Sequence, residues 1–311
     1  MNEYLALLVG VGCAAAGGEL FVRGTVSLAR SLRVPAGIVA ATIAAFATSS
    51  PELSVAVSSA LAGGPQIALG NALGANIVNV ALALGIAVLI SPIRSPLDSV
   101  KRDFPVALLA PLLTAGLLVD GELSRVDALV MFAVFAAWLV ATVLEARRQR
   151  SSIEEVMGGQ RLWVAVAHGA LGLALLGVAG KLIVEGARGL ALAWGMDEFI
   201  VGATVVALGT TAPELATVLA AKLRGHDEVG LGTILGSNIF NGLFIIPVAA
   251  VIFPIVIGWQ EVAVALGVGA LSLAITFPGR SGVIGRLRGG LLLGIYCIYV
   301  IALLRGWGAA P

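Results

Sequence analysis

Long apolar segments, separated by short polar loops, run through the whole chain. Ten of them have about 20 residues, which is enough for a helix to cross the hydrocarbon core of a bilayer. These predicted spans are residues 4–28, 35–61, 66–91, 104–119, 126–145, 162–190, 198–222, 228–254, 260–277 and 287–305. The pattern therefore predicts an all-α integral membrane protein with ten transmembrane helices.

The composition supports a membrane protein. Hydrophobic residues make up 59% of the chain and charged residues only 12%, with a mean hydropathy of +1.03, whereas soluble domains carry about 25% charged residues. A net charge of +1 gives no basis for nucleic-acid binding. We therefore expect the lipid bilayer as the main surrounding and no obligate protein partner.

The basic residues predict how the chain is oriented. In the ten-span arrangement Arg125 and Arg305 fall on one side of the membrane, and a much larger group falls on the other. That group is Arg30, Arg33, Arg94, Lys101, Arg102, Arg147, Arg148, Arg150, Arg161, Lys222, Arg224, Arg280, Arg286 and Arg288. Because cytoplasmic loops are enriched in Lys and Arg, both termini are predicted on the non-cytoplasmic side. We expect a multi-pass protein of the plasma (inner) membrane.

A polar motif occurs twice inside the apolar segments. Residues 48–52 read TSSPE and residues 70–79 read GNALGANIVN, while residues 210–214 read TTAPE and residues 232–241 read GTILGSNIFN. The two copies are offset by 162 residues without a gap. The chain thus predicts an internal repeat: residues 1–145 and 161–311 each hold five spans, and a charged cytoplasmic linker covers 146–160. An odd number of spans per unit makes the second repeat inverted relative to the first.

The first element of each motif copy suits cation binding. Pro51 and Pro213 lack an amide hydrogen, so we expect the backbone before them, at 45–49 and 207–211, to open and present free carbonyls. Glu52 and Glu214 then begin new half-helices, and a carboxylate inside a membrane is costly unless it has a task. Ca²⁺ takes six to eight oxygen ligands, and two carboxylates match its charge. Further oxygens are available on Thr48, Ser49, Thr210 and Thr211.

The second element supplies small residues and amides. Its glycines form small-xxx-small faces that let helices approach closely. Asn79 and Asn241 are predicted to bind the ion or to lie beside it. Asn76 and Asn238 share a helix face with them, and for these two we favour a structural role.

With these motifs the chain resembles the calcium/cation antiporter superfamily, and within it the sodium/calcium exchanger-like branch. The resemblance covers nearly the whole chain. It implies a central Ca²⁺ site formed by Glu52, Glu214 and the backbone carbonyls of Thr48 and Thr210. It also implies flanking Na⁺ sites and alternating access, in which two gating helices slide past the helical core. The implied Na⁺ ligands are the carbonyls of Ala45 and Ala207 and the side chains of Ser49, Thr211 and Ser237.

The chain departs from the family pattern at three positions. Ala75 stands where many members carry Ser, Thr211 replaces a common Ser, and Asn241 stands where several sodium-coupled members carry Asp. The leading hypothesis is an antiporter exchanging Ca²⁺ for Na⁺, and the alternative is Ca²⁺ or another cation exchanged for H⁺. An intramembrane hydrolase is disfavoured because no pattern for an activated nucleophile or a metal cluster is present. A passive channel is disfavoured because one embedded pair of carboxylates suits an occlusion site better than a continuous pore. Ca²⁺ and Na⁺ are transported substrates, and we expect neither a cofactor nor enzymatic activity.

Overall fold

The structure is almost entirely helical. It is a computed structural model, and it describes residues 3–32, 34–61, 63–96, 100–150, 162–193, 207–279 and 281–306. Within these residues, a helix or a series of short helices covers each of the ten predicted spans, and the seventh is described only from Ala207. The all-helical fold class is therefore confirmed.

The first half of the chain is a series of helices with two π-helical interruptions. Its elements are α1 (Glu3–Leu32), α2 (Ala36–Val39), a π-helical segment (Ala40–Ala44), α3 (Ala45–Thr48), α4 (Ser50–Leu61), α5 (Pro65–Ile77), a π-helical segment (Val78–Leu84), α6 (Gly85–Ile90), strand β1 (Ile93–Arg94), α7 (Asp103–Leu117), a 3-10 turn (Leu118–Asp120), strand β2 (Glu122–Leu123) and α8 (Arg125–Arg150). Helix α8 continues beyond the predicted end of its span at residue 145.

The second half follows the same order. Its elements are α9 (Leu162–Ala193), α10 (Ala207–Thr210), α11 (Ala212–Leu223), α12 (Asp227–Phe240), a π-helical segment (Asn241–Ile245), α13 (Ile246–Ile252), strand β3 (Ile255–Val256), α14 (Trp259–Thr276), strand β4 (Val283–Ile284) and α15 (Arg286–Gly306). A π-helical segment thus interrupts both α5–α6 and α12–α13, one beginning at Val78 and the other at Asn241.

Several helices are long and apolar enough to cross a membrane. By length and composition five qualify among the described residues, or six if the bent pair Ala16–Leu32 and Ala36–Thr48 is one broken span. The five are Pro65–Ile90, Asp103–Asp120, Arg125–Arg148, Leu162–Ala179 and Asp227–Ile252. These helices support an integral membrane protein, and the full set of ten crossings stays a prediction.

Two helix series form the centre of the molecule. The most apolar 18-residue stretches of Pro65–Ile90 and Asp227–Ile252 are 78% and 83% buried, whereas those of the other three candidate spans are only 22–39% buried. Burial of this extent means that the two series contact protein rather than lipid on most sides. They carry the second element of each motif copy, so the amide-bearing segments lie in the core.

Glycines allow close contact between the two halves. A methyl group on Gly232 would lie 2.6 Å from the Gly37 carbonyl oxygen, and one on Gly236 would collide with the Ala41 backbone. Close packing through Gly232 and Gly236 was predicted and is confirmed for the second copy of the motif. The counterpart of Gly37 and Ala41 in the second half falls in 194–206, outside the described residues.

Two short sheets join the halves. Strand β1 pairs antiparallel with β4, with Ile93 opposite Ile284, and β2 pairs antiparallel with β3, with Leu123 opposite Ile255. The sheets lie at opposite ends of the span Pro65–Ile90: Gln66 at its start donates to the Val256 carbonyl (3.0 Å), and Ile93 follows its end. With 26 residues, this span is about 39 Å long at 1.5 Å per residue.

Candidate functional site

Each copy of the motif contains a sharp interruption in a helix. Helix α3 ends at Thr48, Ser49 adopts φ −82° and ψ 9°, and α4 begins at Ser50. Thr211 takes nearly the same conformation, φ −86° and ψ 3°, between α10 and α11. The prolines that follow cannot donate the next amide hydrogen bond, and they fit the first turn of a new helix. The predicted half-helices are therefore present in both repeats.

The two glutamates lie at the beginning of these half-helices. Glu52 is in the first turn of α4 and Glu214 in the first turn of α11, and both are completely buried. The amide groups at the start of a helix carry partial positive charge, which favours a carboxylate there. The two carboxyl groups are close enough to interact electrostatically. The structure thus brings together the two residues predicted as the centre of the site.

Among the described residues, serine hydroxyls donate to only one of the two carboxyl groups. Ser49 donates to Glu214 Oε1 at 3.2 Å, and Ser237 donates to the same oxygen at 3.1 Å. Ser49 belongs to the first repeat and Ser237 to the second, so this oxygen is held from both halves. Thr48 also lies beside the Glu214 carboxyl group.

The Glu52 side lacks these donors. The repeat equivalent of Ser237 is Ala75, which has no hydroxyl. The equivalent of Ser49 is Thr211, whose hydroxyl donates to the carbonyl oxygens of Ala207 (2.8 Å) and Leu208 (3.3 Å) of its own helical turn. Thr210 lies beside Glu52, as Thr48 lies beside Glu214.

The carbonyls of Ala45 and Ala207 are not free. The Ala45 oxygen accepts from the Ser49 amide (3.0 Å) and the Thr48 hydroxyl (3.2 Å). The Ala207 oxygen accepts from the Thr211 amide (3.1 Å) and from both threonine hydroxyls that follow it. The expectation of unbonded carbonyls is wrong for these two residues, because the helical turn persists up to the interruption. Their predicted role as Na⁺ ligands would require these hydrogen bonds to be replaced.

Four asparagines form a network between the repeats. Asn76 Nδ2 donates to the Asn238 carbonyl (3.3 Å), and Asn238 Nδ2 donates to the Asn76 carbonyl (3.4 Å). Asn79 Nδ2 donates to Asn238 Oδ1 (3.2 Å), and Asn241 Nδ2 donates to Asn76 Oδ1 (3.0 Å). Each bond in the network has a counterpart at the 162-residue offset. This arrangement supports the structural role expected for Asn76 and Asn238.

A group of buried oxygen atoms at the motif residues has no hydrogen-bond donor among the described residues. These five atoms are Glu52 Oε1, Glu52 Oε2, Glu214 Oε2, Asn79 Oδ1 and Asn241 Oδ1. Buried polar atoms normally have partners, and the third fully buried carboxylate among the described residues shows this. Asp103 accepts from Arg102 at 2.7 and 2.9 Å and from the Trp138 indole at 3.0 Å. Oxygens left without donors are what a cation would coordinate.

Two residues near the motifs, Asn71 and Thr217, were not among the predicted site residues, yet each has a buried side-chain atom without a partner among the described residues. Asn71 Oδ1 accepts from Thr210 Oγ1 at 3.4 Å, and its Nδ2 has no partner among the described residues. The Thr217 hydroxyl, one helical turn after Glu214, is likewise buried and unpaired within the described chain. Asn71 lies within the repeated motif, and its equivalent in the second copy is Thr233, so this difference between the copies could have indicated it. Thr217 lies at helical spacing from a predicted ligand.

The helical fold and a buried acidic site shared by two repeats are typical of an integral membrane transporter. The model of the family described as "Sodium/calcium exchanger protein" matches residues 3–144 and 164–305, so the chain belongs to this family. It is therefore a transport protein and not an enzyme. The two matched ranges correspond closely to the two halves of the chain.

Individual relatives agree with this assignment. CaxA of Alkalimonas amylolytica, described as a candidate antiporter, is 34% identical over 92% of this chain and 94% of its own. Inner membrane protein YrbG of Escherichia coli is 32% identical over 80% of this chain and 79% of its own. A solved structure of the sodium-calcium exchanger NCX_Mj, soaked with Na⁺ and Sr²⁺, matches with a TM-score of 0.83 and 29% identity, covering 97% of both chains.

Proposed function

We propose that this protein is a secondary antiporter that exchanges Ca²⁺ for Na⁺ across the inner membrane by alternating access. The observation that carries the proposal is the group of five buried, donor-free oxygens on Glu52, Glu214, Asn79 and Asn241. Two carboxylates balance one divalent cation, and the remaining ligands that Ca²⁺ requires can come from backbone carbonyls, hydroxyls or water. The similarity to proteins named as sodium/calcium exchangers supports the same pair of ions.

The hydrogen bonds at Glu214 support a role for Ser49 and Ser237 in holding Na⁺. Both hydroxyl oxygens lie within hydrogen-bonding distance of Glu214 Oε1, so a monovalent cation placed there would contact a carboxylate and two hydroxyls. The carbonyls of Thr48 and Thr210 complete the proposed Ca²⁺ site. The Ala45 and Ala207 carbonyls and the Thr211 hydroxyl would join the Na⁺ sites only after exchanging their present hydrogen bonds.

A Ca²⁺/H⁺ antiporter is the second candidate, and the Glu52 side favours it. Neither Ala75 nor the Thr211 hydroxyl supports a cation beside Glu52 in this structure. A flanking Na⁺ site on that side therefore has fewer oxygens than the one beside Glu214. A proton bound to Glu52 would need no such ligands.

The two small sheets support an inverted repeat of ten spans. Strands β1 and β3 lie at the 162-residue offset, as do Glu122 of β2 and Ile284 of β4. Each sheet joins one strand from each half, and the sheets lie at opposite ends of the span Pro65–Ile90. Exchanging the halves therefore converts one sheet into the other at the opposite end, which is the symmetry expected of inverted repeats. In the proposed orientation the β1–β4 end is cytoplasmic and both termini are not.

The contact between α1 and α9 suits a moving pair of helices. A methyl group on Gly17 would lie 3.0 Å from the Gly172 carbonyl oxygen, and one on Gly24 would collide with the backbone of Gly169. Small residues give a smooth contact surface without interlocking side chains. We propose that α1 and α9 slide together along the remaining helices and so open the site first to one side of the membrane and then to the other. The outer surfaces of the two helices would contact the lipid bilayer.

Ion flux in membrane vesicles tests the function. Vesicles containing the protein are loaded with Ca²⁺ and exposed separately to a Na⁺ gradient and to a pH jump. We expect the Na⁺ gradient to drive Ca²⁺ movement, and release by the pH jump alone would favour proton coupling. Glu52→Gln and Glu214→Gln should each lower Ca²⁺ flux at least about tenfold, since each removes a charge from a buried dication site. The exposed Glu122→Gln variant is the control and should keep normal flux. Near-normal Ca²⁺ flux in both Glu52→Gln and Glu214→Gln would contradict the proposal of a shared cation site.

A further inference from the structure

We propose that Asn76 and Asn238 are positioning residues that direct the side-chain oxygens of Asn79 and Asn241 towards the transported cation. The proposal rests on the function proposed above, and it assigns a task to two residues that bind no ion themselves. It also predicts that each residue acts on the opposite repeat: Asn76 on Asn241, and Asn238 on Asn79.

The hydrogen bonds determine which end of the Asn79 and Asn241 side chains is left free. An asparagine side chain has one donor end and one acceptor end, so fixing one end determines where the other points. Asn241 Nδ2 is held by Asn76 Oδ1 (3.0 Å), and Asn79 Nδ2 is held by Asn238 Oδ1 (3.2 Å). The amide oxygens of Asn79 and Asn241 are consequently the ends left over, and both are buried without a donor among the described residues.

Asn76 and Asn238 are themselves held by backbone carbonyl groups. Each donates its Nδ2 to the backbone carbonyl of the other, at 3.3 and 3.4 Å. Their orientation is thus fixed by backbone rather than by another mobile side chain. With Nδ2 committed to a carbonyl, Oδ1 must face the neighbouring amide, and turning either amide over would place two oxygens or two N–H groups against each other. The quartet therefore admits one arrangement of its four amides.

The place of the quartet links it to the ion site. Asn241 begins the π-helical segment Asn241–Ile245, and Asn79 is the second residue of Val78–Leu84. A π-helical turn leaves part of the regular backbone ladder unmade, so such segments often occur at functional sites. Bonds between amides at these two points join the half-site of one repeat to that of the other.

Double-mutant cycles on Ca²⁺ affinity test the proposal. In purified protein in vesicles, Asn241→Ala and Asn76→Ala should each raise the KM for Ca²⁺ about fivefold, and the double variant should be little worse than either alone. Asn238→Ala and Asn79→Ala should behave as a second such pair. The matched control is the neighbouring pair Asn76→Ala with Asn79→Ala, which share no direct hydrogen bond and whose effects should be nearly multiplicative.

Thermal unfolding in detergent, with and without Ca²⁺, separates positioning from packing. If Asn76→Ala and Asn238→Ala lower the unfolding temperature but leave the KM for Ca²⁺ unchanged, the quartet only packs and the proposal is wrong. Stronger coupling within one repeat than across the repeats would also overturn it. Where an alanine variant does not accumulate, serine replaces it, because its hydroxyl is too short to reach the opposite amide. Failure of the unmodified protein to transport or bind Ca²⁺ would instead contradict the proposed function.

Discussion

The two carboxyl groups at the centre of this protein occupy equivalent positions but have different surroundings. Glu214 Oε1 receives hydrogen bonds from Ser49 and Ser237, whereas neither oxygen of Glu52 has a donor among the described residues. One cause is a missing hydroxyl at Ala75, and the other is the Thr211 hydroxyl, which is turned towards its own helix. Sequence equivalence of two repeats therefore does not make the two halves of a site equivalent.

The different surroundings of Glu214 and Glu52 should give the two carboxyl groups different roles in ion binding. Two hydroxyls already lie beside one Glu214 oxygen, so the ligands proposed for a monovalent cation are in place before an ion arrives. Glu52 can present both of its oxygens, because neither accepts a hydrogen bond from a serine among the described residues, and Thr210 is the hydroxyl-bearing residue beside them. We expect Glu214 to define the position of a monovalent ion and Glu52 to contribute mainly charge.

The comparison requires that the two halves are inverted, and labelling from either side of the membrane tests this. With Cys13 and Cys297 replaced by serine, Glu122→Cys in β2 should react only from outside and Ser281→Cys before β4 only from the cytoplasm. These residues are exposed, and they avoid the neighbouring Gly121 and Gly282, whose positive φ angles disfavour other residues. Reaction of both cysteines from the same side would contradict the inverted arrangement. The effect should be all or none.

Removing the hydroxyls tests the difference directly. Ser49→Ala and Ser237→Ala should each raise the Na⁺ concentration needed for half-maximal Ca²⁺ release about tenfold, because each loses a hydrogen bond to a charged group. Thr211→Ala is the matched control on the Glu52 side. Its hydroxyl contacts only the carbonyls of its own turn, so we expect a change within about twofold. Equal effects of all three would show that Thr211 faces the ion during transport.

Adding a hydroxyl should make the halves more alike. Ala75 is the equivalent of Ser237 and is fully buried, so Ala75→Ser places an oxygen on the Glu52 side. We expect it to lower the half-maximal Na⁺ concentration about fivefold, as one additional contact would. The measurement is Na⁺-driven Ca²⁺ release from vesicles. No change in Na⁺ dependence, together with Ca²⁺ flux driven by a pH gradient alone, would favour proton coupling.

The smallest effect is expected for Asn71, whose equivalent in the second repeat is Thr233. The hydrogen bond that Asn71 accepts from Thr210 is long, at 3.4 Å, and therefore weak. Asn71→Thr should change the KM for Ca²⁺ by less than about threefold. Titrating Ca²⁺ uptake in the variant checks this. A tenfold or larger rise would identify Asn71 as a ligand, and the two halves would then differ by an added ligand as well as by a missing one.

Much of this protein could be predicted from local patterns. Hydropathy alone identified the helical segments, because a bilayer-spanning helix must be apolar over its whole length. The helix interruptions at Ser49 and Thr211 followed from Pro51 and Pro213, whose rings constrain the backbone whatever surrounds them. The exact repeat offset brought Glu52 and Glu214 into one hypothesis. These features depend on covalent chemistry and solvent, so they can be inferred from residues close together in the chain.

Local patterns could not predict which groups bond to which. The Thr211 hydroxyl could face either Glu52 or Ala207, and only the packing around α10 and α11 selected Ala207. The partners Asn76 and Asn241 are 165 residues apart, as are Ser49 and Glu214. Such pairs form only when the two halves meet at a particular distance and rotation, which depends on the contacts of Gly232 and Gly236 with the opposite half. The residues of the site, including the missing hydroxyl at Ala75, are thus determined by the sequence, whereas the partner that each polar group contacts is decided by how the two halves pack together.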